Sequence, residues 1–186
     1  TRTARVEQGI LGMLNLDVEE RDVYFMRVAL REAERALEIG EVPVGCVITR
    51  KNQVIARGCN RREALQDPTA HAEILAITAA ANHLGSWRLE ETTLYVTLEP
   101  CPMCAGAIIL ARIPRVVFGA FDPKAGCCGT LMNLLADSRF NHRPDLRGGV
   151  LEAECGGILS AFFREIRARG REGVPSEDQP PPGEAG

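Results

Sequence analysis

Three residues with metal-donor side chains stand at spacings that suit a single ion: His71, and the pair Cys101 and Cys104 within Pro100-Cys101-Pro102-Met103-Cys104. Two cysteines at i and i+3 on the first turn of a helix point to one side, and the partial positive charge of that helix end favours their thiolates. Thiolate is the ligand form. With His71 as third donor, one tetrahedral position of a zinc ion stays open to water, whereas a purely structural zinc normally takes four protein ligands. Zinc lowers the pKa of such a water enough to give hydroxide near neutral pH, and a nearby carboxylate can take its proton. Glu73, two residues after His71, is the residue for that role. Residues two apart do not share a helix face, so His71 and Glu73 converge only if the ion lies beyond the helix start.

Each member has a plainer reading when taken alone. A lone histidine is more often a satisfied core or surface residue and a lone glutamate a solvated helix residue. A Cys-x-x-Cys pair by itself is also a redox motif or half of a structural zinc site. The combination, with each half at a helix start that follows a strand, favours the catalytic metal. Cys46, Cys59 and Cys155 read as small core residues. Cys127 and Cys128 adjoin in a loop, and a fourth sulfur ligand from either would block the water position, so neither joins the set. His83 and His142 lack partners at ligand spacing and read as structural.

The elements that must carry these residues are legible in outline. From Glu19 to Ile39, Tyr24, Val28, Leu30 and Leu37 recur at helical spacing, and Gly40 followed by Pro43 stops the helix. Val44 to Thr49 and Val54 to Gly58 flank the polar tip Arg50-Lys51-Asn52 as a β-hairpin. Asp67, Pro68 and Thr69 offer capping chemistry before an alanine-rich helix from His71 to Asn82. Thr92 to Leu98 is a buried strand, and Pro102 suits the first turn of a helix running to about Arg112. Arg115 to Ala120 is a further strand, followed by a loop, a short helix near Leu131 to Leu135, a last strand at Gly149 to Ala153 and a closing helix from Glu154 to Arg169. Strands alternating with helices specify a three-layer α/β/α arrangement around one sheet.

The 186 residues, 45% hydrophobic and 25% charged, suit one soluble globular domain with a single core. No stretch approaches the apolar length of a membrane span, and the first residues lack a signal peptide's apolar segment, so the expectation is a cytoplasmic protein with no membrane association. Seven cysteines, an odd number, fit reduced thiols and metal ligation better than a disulfide framework. The net charge of −3 gives no global sign of a nucleic-acid binder. Locally, Arg57, Arg61 and Arg62 cluster, as do Arg139, Arg143 and Arg147, and Arg164, Arg167, Arg169 and Arg171. Taken alone, each cluster reads as a solvated face. The organisation expected is an extension over residues 1–18 whose order the sequence leaves open, a catalytic zinc domain over 19–170, and a disordered Pro-rich tail over 171–186.

His71-Ala72-Glu73 and Pro100-Cys101-Pro102-Met103-Cys104 match the H-x-E…P-C-x-x-C signature of zinc deaminases. From about Asp22 to Arg169 the chain resembles the bacterial tRNA adenosine deaminases, which convert the wobble adenosine of an anticodon to inosine. The resemblance is carried by Glu41-Val42-Pro43-Val44-Gly45, by Asp67 through Ile74, by Leu94 through Cys101, and by Arg115-Val116-Val117-Phe118-Gly119-Ala120. Asn141-His142-Arg143 and Phe162-Phe163 extend it.

It implies a cytidine-deaminase-like fold with a central mixed five-stranded sheet, a homodimer, one Zn2+ per subunit and a tRNA anticodon stem-loop whose splayed bases enter a basic cleft. Carried over by motif, Asn60 contacts the adenine, Glu73 its ring-nitrogen edge, and Asp122 with Lys124 the flanking nucleotides. Phe163 and Arg167 meet the loop by stacking and phosphate contact. On this reading the basic clusters fall on segments around the cleft. The doubled cysteine at 127 and 128 departs from the small residues common there. The competing expectations are a guanine or other free-base or nucleoside deaminase and, from a different class, a non-catalytic zinc RNA-binding module.

Overall fold

The structure is a computed structural model that describes residues 17–172. The expectations for residues 1–16 and 173–186 lie outside the described residues. Helix α1 (Val18–Glu38) opens on a capping box in which the Glu20 N–H donates to Asp17 Oδ1 at 2.8 Å and the Asp17 N–H donates to Glu20 Oε2 at 3.2 Å. It closes in a Schellman turn: the N–H groups of Gly40 and Glu41 donate to the carbonyls of Leu37 and Ala36, each at 3.0 Å, with Gly40 at φ +77° where a side chain would be strained.

Strands β1 (Gly45–Arg50), β2 (Gln53–Cys59), β3 (Thr92–Leu98), β4 (Arg115–Ala120) and β5 (Asp145–Arg147) form one sheet in the order β2-β1-β3-β4-β5. β1 runs antiparallel to both β2 and β3, while β3, β4 and β5 are parallel, so the sheet is mixed as expected. Side chains alternate between two cores, as the pleat requires. Cys46, Ile48, Leu94, Val96, Val116 and Phe118 pack against α3 (Ala72–Leu84) and α4 (Pro102–Leu110). Val47, Tyr95 and Val117 pack on the other face, against α1 and the start of α5 (Glu152–Glu172). A single turn, α2 (Arg62–Leu65), links β2 to the approach to α3.

The apolar face of α1 matches the expected one only in part, with Val28 buried and Leu30 half-buried. Phe25, Met26, Ala29, Ala33 and Ala36 are buried, whereas Tyr24 and Leu37 face outward. The reason is the close approach of helix to sheet: a Cβ on Gly45 would lie 2.1 Å from the Ala29 carbonyl oxygen, and one on Gly58 would lie 2.2 Å from that of Ala72. Only small residues fit such seams.

Two further expectations are corrected. Residues 131–135 form turns rather than a short helix, with an isolated bridge between Cys128 and Asn133. The backbone N–H groups of Cys128 and Thr130 donate to the Glu99 carboxylate instead of to helical carbonyls. The last strand lies at Asp145–Arg147, not at residues 149–153, where Gly149 and Leu151 take positive φ and break the extended chain before α5 begins at Glu152.

Asp22 ties α1 to the sheet. Its side chain is 1% exposed and accepts from Arg115 Nη1 and Nη2 at 2.7 and 2.8 Å, from Arg147 Nη1 at 2.8 Å and from the Tyr95 hydroxyl at 3.1 Å. Burial alone would raise its carboxyl. The Arg115 hydrogen bonds and charge, joined by Arg147 and Tyr95, outweigh burial and hold it below the ordinary 3.8. The stabilisation is therefore complete above the unfolded-state value and is lost as pH falls through the lower folded value. Asp22→Asn is expected to lose about 3 kcal/mol, the lower end for a broken buried ion pair because both guanidiniums keep part of their hydration. Urea titrations at neutral pH and at successive acid values measure this, and a variant as stable as the parent at neutral pH contradicts it.

Candidate active site

The sequence places His71 at the N-cap of α3 and Cys101 at the N-cap of α4, and neither side chain caps its own helix. The expected capping by Asp67 and Thr69 is instead a local turn, in which the Thr69 N–H and hydroxyl donate to Asp67 Oδ1 at 2.8 and 2.7 Å. The His71 imidazole is thereby left to face the sulfurs. Its Nδ1 lies 3.7 Å from Cys101 Sγ and 3.6 Å from Cys104 Sγ, and the three donor atoms lie within 4.8 Å of one another.

A tetrahedral zinc with bonds of about 2.3 Å to sulfur and about 2.0–2.1 Å to nitrogen holds those donors about 3.5–3.6 Å apart. The observed separations fit one ion, and two sulfurs with one imidazole form a borderline-soft donor set suited to zinc. Among the described residues this is the group of three or more donors that could hold a metal. Cys127 and Cys128 stand outside it. The Cys128 N–H donates to Glu99 Oε1 at 3.0 Å, and its thiol faces the Pro100 carbonyl. His142 is structural as expected, its Nε2 donating to the Ile113 carbonyl at 2.7 Å.

The two sulfurs differ in charge. A hydrogen bond from the Cys104 thiol, reinforced by His71, pushes the Cys101 thiol down to about 4, and the same bond raises Cys104. The His71 ring is raised, chiefly by its hydrogen bond to Cys101. Occupation of both sulfurs by a metal must displace the remaining thiol proton. Glu73 occupies the second helical position of α3 and is almost fully buried. Burial pushes its carboxyl up to about 7, partly offset by a backbone hydrogen bond and by His71. A carboxyl so placed exchanges protons near neutrality and is not part of the donor group.

Glu73, His71 and Cys101 open on a cavity of about 250 Å³ whose walls include Asn60, Arg62, Asp122 and Phe163. Lys124 and Arg167 lie outside it. They line an adjoining groove of about 480 Å³ that shares Val42, Leu98, Asp122 and Phe163 with the cavity and adds the exposed Phe121. The structure thus gathers Asn60, Asp122 and Phe163 beside the metal donors and sets Lys124 and Arg167 one step further out.

Two acidic residues important to this arrangement escaped the sequence reading. Glu99 is buried, and its carboxylate accepts the N–H groups of Asp122, Cys128 and Thr130, each at 3.0 Å, together with the Thr130 hydroxyl. It shapes the loop that carries Asp122 and Lys124. Asp122 Oδ1 in turn accepts from the Lys124 and Ala125 N–H groups at 2.9 and 3.2 Å. Glu41 is the second, bonded to Asn60 and Ala64. The available signal was a single acid inside an apolar run, Leu98-Glu99-Pro100 and Gly40-Glu41-Val42. The basic clusters divide: Arg62 reaches the cavity and Arg167 the groove, whereas Arg57 pairs with Glu32, Arg139 with Asp137 and Arg147 with Asp22.

Residues 19–120 match the cytidine and deoxycytidylate deaminase zinc-binding region. The tRNA-specific adenosine deaminase of Bacillus subtilis (strain 168) is 59% identical over 149 residues, covering 80% of this chain and 92% of that protein. The chain belongs to the tRNA-specific adenosine deaminase family. A family structure solved in studies of A-to-I editing by tRNA:A34 deaminases at the wobble position superposes with a TM-score of 0.71 at 47% identity, covering 73% of this chain and 99% of that one. Guanine deaminase from Nitrosomonas europaea gives a TM-score of 0.68 at 21% identity over 80% of this chain and 85% of its own, a likeness of fold alone. The three-layer fold with a five-stranded mixed sheet is accordingly that of the family.

Proposed function

We infer that this protein is a zinc-dependent hydrolytic deaminase that converts the wobble adenosine of a tRNA anticodon loop, position 34 in the related deaminases, to inosine and releases ammonia. The observation that carries the reading is a buried, non-ligand carboxyl beside three metal donors at the wall of one cavity. His71, Cys101 and Cys104 would hold one zinc per subunit, and that ion when bound would supply Lewis acidity toward the attacking water. Glu73 would take one proton from the attacking water and deliver it to the ring nitrogen, then take the remaining hydroxyl proton from the tetrahedral carbon and pass it to the amine, so that the C–N bond breaks as the carbonyl of inosine forms and ammonia leaves.

Asn60 meets the base. Asp122 and Lys124 meet the flanking nucleotides, while Phe163 stacks and Arg167 neutralises phosphate. Exposed Phe163 and the groove beyond it support this assignment. The partner is the anticodon stem-loop, the working form is a homodimer, and the protein acts on the cytoplasmic tRNA pool. No helix among the described residues is long and apolar enough to cross a membrane.

The test is inosine formation in transcribed tRNA, set against free guanine, adenine and cytosine. Inosine in tRNA is the expected result; turnover of guanine without it would establish a free-base deaminase instead. Extruding a stacked base requires a few kcal/mol, which contacts to neighbouring nucleotides must offset. Asp122→Ala and Phe163→Ala are therefore expected to keep their zinc while tRNA turnover falls or shifts between loop sequences. Parent rates with unchanged loop preference in both variants would remove these residues from the RNA site.

A further inference from the structure

We propose that Glu41 is a positioning residue for base recognition: it fixes the sense in which Asn60 presents its amide to the cavity beside Glu73. This rests on the reading of Asn60 as the residue that meets the base. Glu41 is 2% exposed and is not among the residues lining that cavity. A carboxylate so deeply buried is destabilising unless its oxygens find donors. Both do. Oε2 accepts from Asn60 Nδ2 at 3.1 Å, and Oε1 accepts the Ala64 N–H at 2.7 Å.

The backbones on either side are fixed independently. Glu41 is held by the Schellman turn that ends α1, its N–H donating to the Ala36 carbonyl, and the Asn60 N–H donates to the Val44 carbonyl at 3.0 Å. Little freedom remains except rotation of the Asn60 amide by half a turn. Such a rotation would set Asn60 Oδ1 against Glu41 Oε2, two acceptors at hydrogen-bond distance with no proton between them. The carboxylate therefore admits one orientation. Nδ2 faces Glu41, and Asn60 meets the cavity with Oδ1 and its second amide hydrogen.

Base edges differ in their order of donors and acceptors, so an amide locked in one sense discriminates between edges. An amide free to flip would accommodate either order. Glu41 acts on the base only through Asn60. The bond to Ala64 has a different consequence, the shape of the turn after β2, and the experiment must separate the two.

A double-mutant cycle does so. Inosine formation in tRNA is measured with zinc-loaded parent protein, Glu41→Gln, Asn60→Ala and the double variant, with zinc content and thermal midpoint recorded for each. Glutamine keeps the shape, but with its oxygen on the Ala64 N–H its amide nitrogen is a donor facing Asn60, which favours the turned-over Asn60 amide and presents the wrong edge to the cavity. Glu41→Gln is expected to lower kcat/KM about 10- to 100-fold in the parent and by less than about 3-fold when residue 60 is alanine. Zinc content stays at the parent level. Equal losses in both backgrounds would overturn the proposal and leave Glu41 as a structural cap of α2. An Asn60→Ala protein that works at the parent rate would overturn the reading of Asn60, and the proposal with it. Should Glu41→Gln fail to fold, Glu41→Asp, which keeps the charge but shortens its reach, carries the same cycle with the same outcomes.

Discussion

Replacement of Cys101 or Cys104 by alanine is expected to abolish zinc binding and deamination together. His71 and Cys101 stand at the N-cap positions of two different helices, and Cys104 follows one turn into the second, so the three donor atoms converge only in the folded chain. Removing one sulfur leaves two donors, too few to hold the ion against water and other ligands. Because the site is assembled by folding, loss of the ion also removes its contribution to stability. Elemental analysis of the dialysed protein and inosine formation in tRNA are the paired measurements. Zinc at one equivalent in either variant, with activity intact, would exclude that cysteine from the metal site.

Glu73→Gln is expected to retain the zinc and lose deaminase turnover by about 10²–10⁴-fold, the range ascribed to a positioned general acid or base. Glutamine matches the shape and satisfies the buried position without an ionisable proton. The donor group does not include Glu73, so metal content should match the parent. This dissociation of metal from activity distinguishes a proton carrier from a ligand. A glutamine variant with parent kcat would require another residue to move the protons, and one without zinc would make Glu73 part of the metal site. The same experiment disposes of a non-catalytic zinc RNA-binding module, for which the carboxyl would be irrelevant to zinc and RNA alike.

The sequence reading and the structure agree where the signal is local. Both helix starts, the hairpin, the central strands and the mixed five-stranded sheet stand where spacing and family resemblance put them. They diverge where a segment answers to distant partners. Residues 131–135 read as helix from composition, but the Leu131 and Leu134 N–H groups donate to the Gly126 and Cys127 carbonyls, next to the stretch that Glu99 anchors through Cys128 and Thr130, 29 and 31 residues further on. Tyr24 and Leu37 look like the apolar face of α1, yet the close approach at Gly45 selects the alanine-rich side. Arg147 reads as part of a basic cleft cluster and instead closes on Asp22, 125 positions away.

By itself the sequence determined the chemistry: donor types, their spacing at helix starts and a separate carboxyl are local properties, set by side-chain identity and the helical period. Only the tertiary structure decided their convergence, because His71 and Cys101 are 30 residues apart and meet through the stacking of α3 and α4 on one face of the sheet. It also decided which buried acids hold the site's walls. Glu41 and Glu99 carry no sequence mark of their partners, since a hydrogen bond between distant segments depends on strand register and packing, which no local spacing encodes.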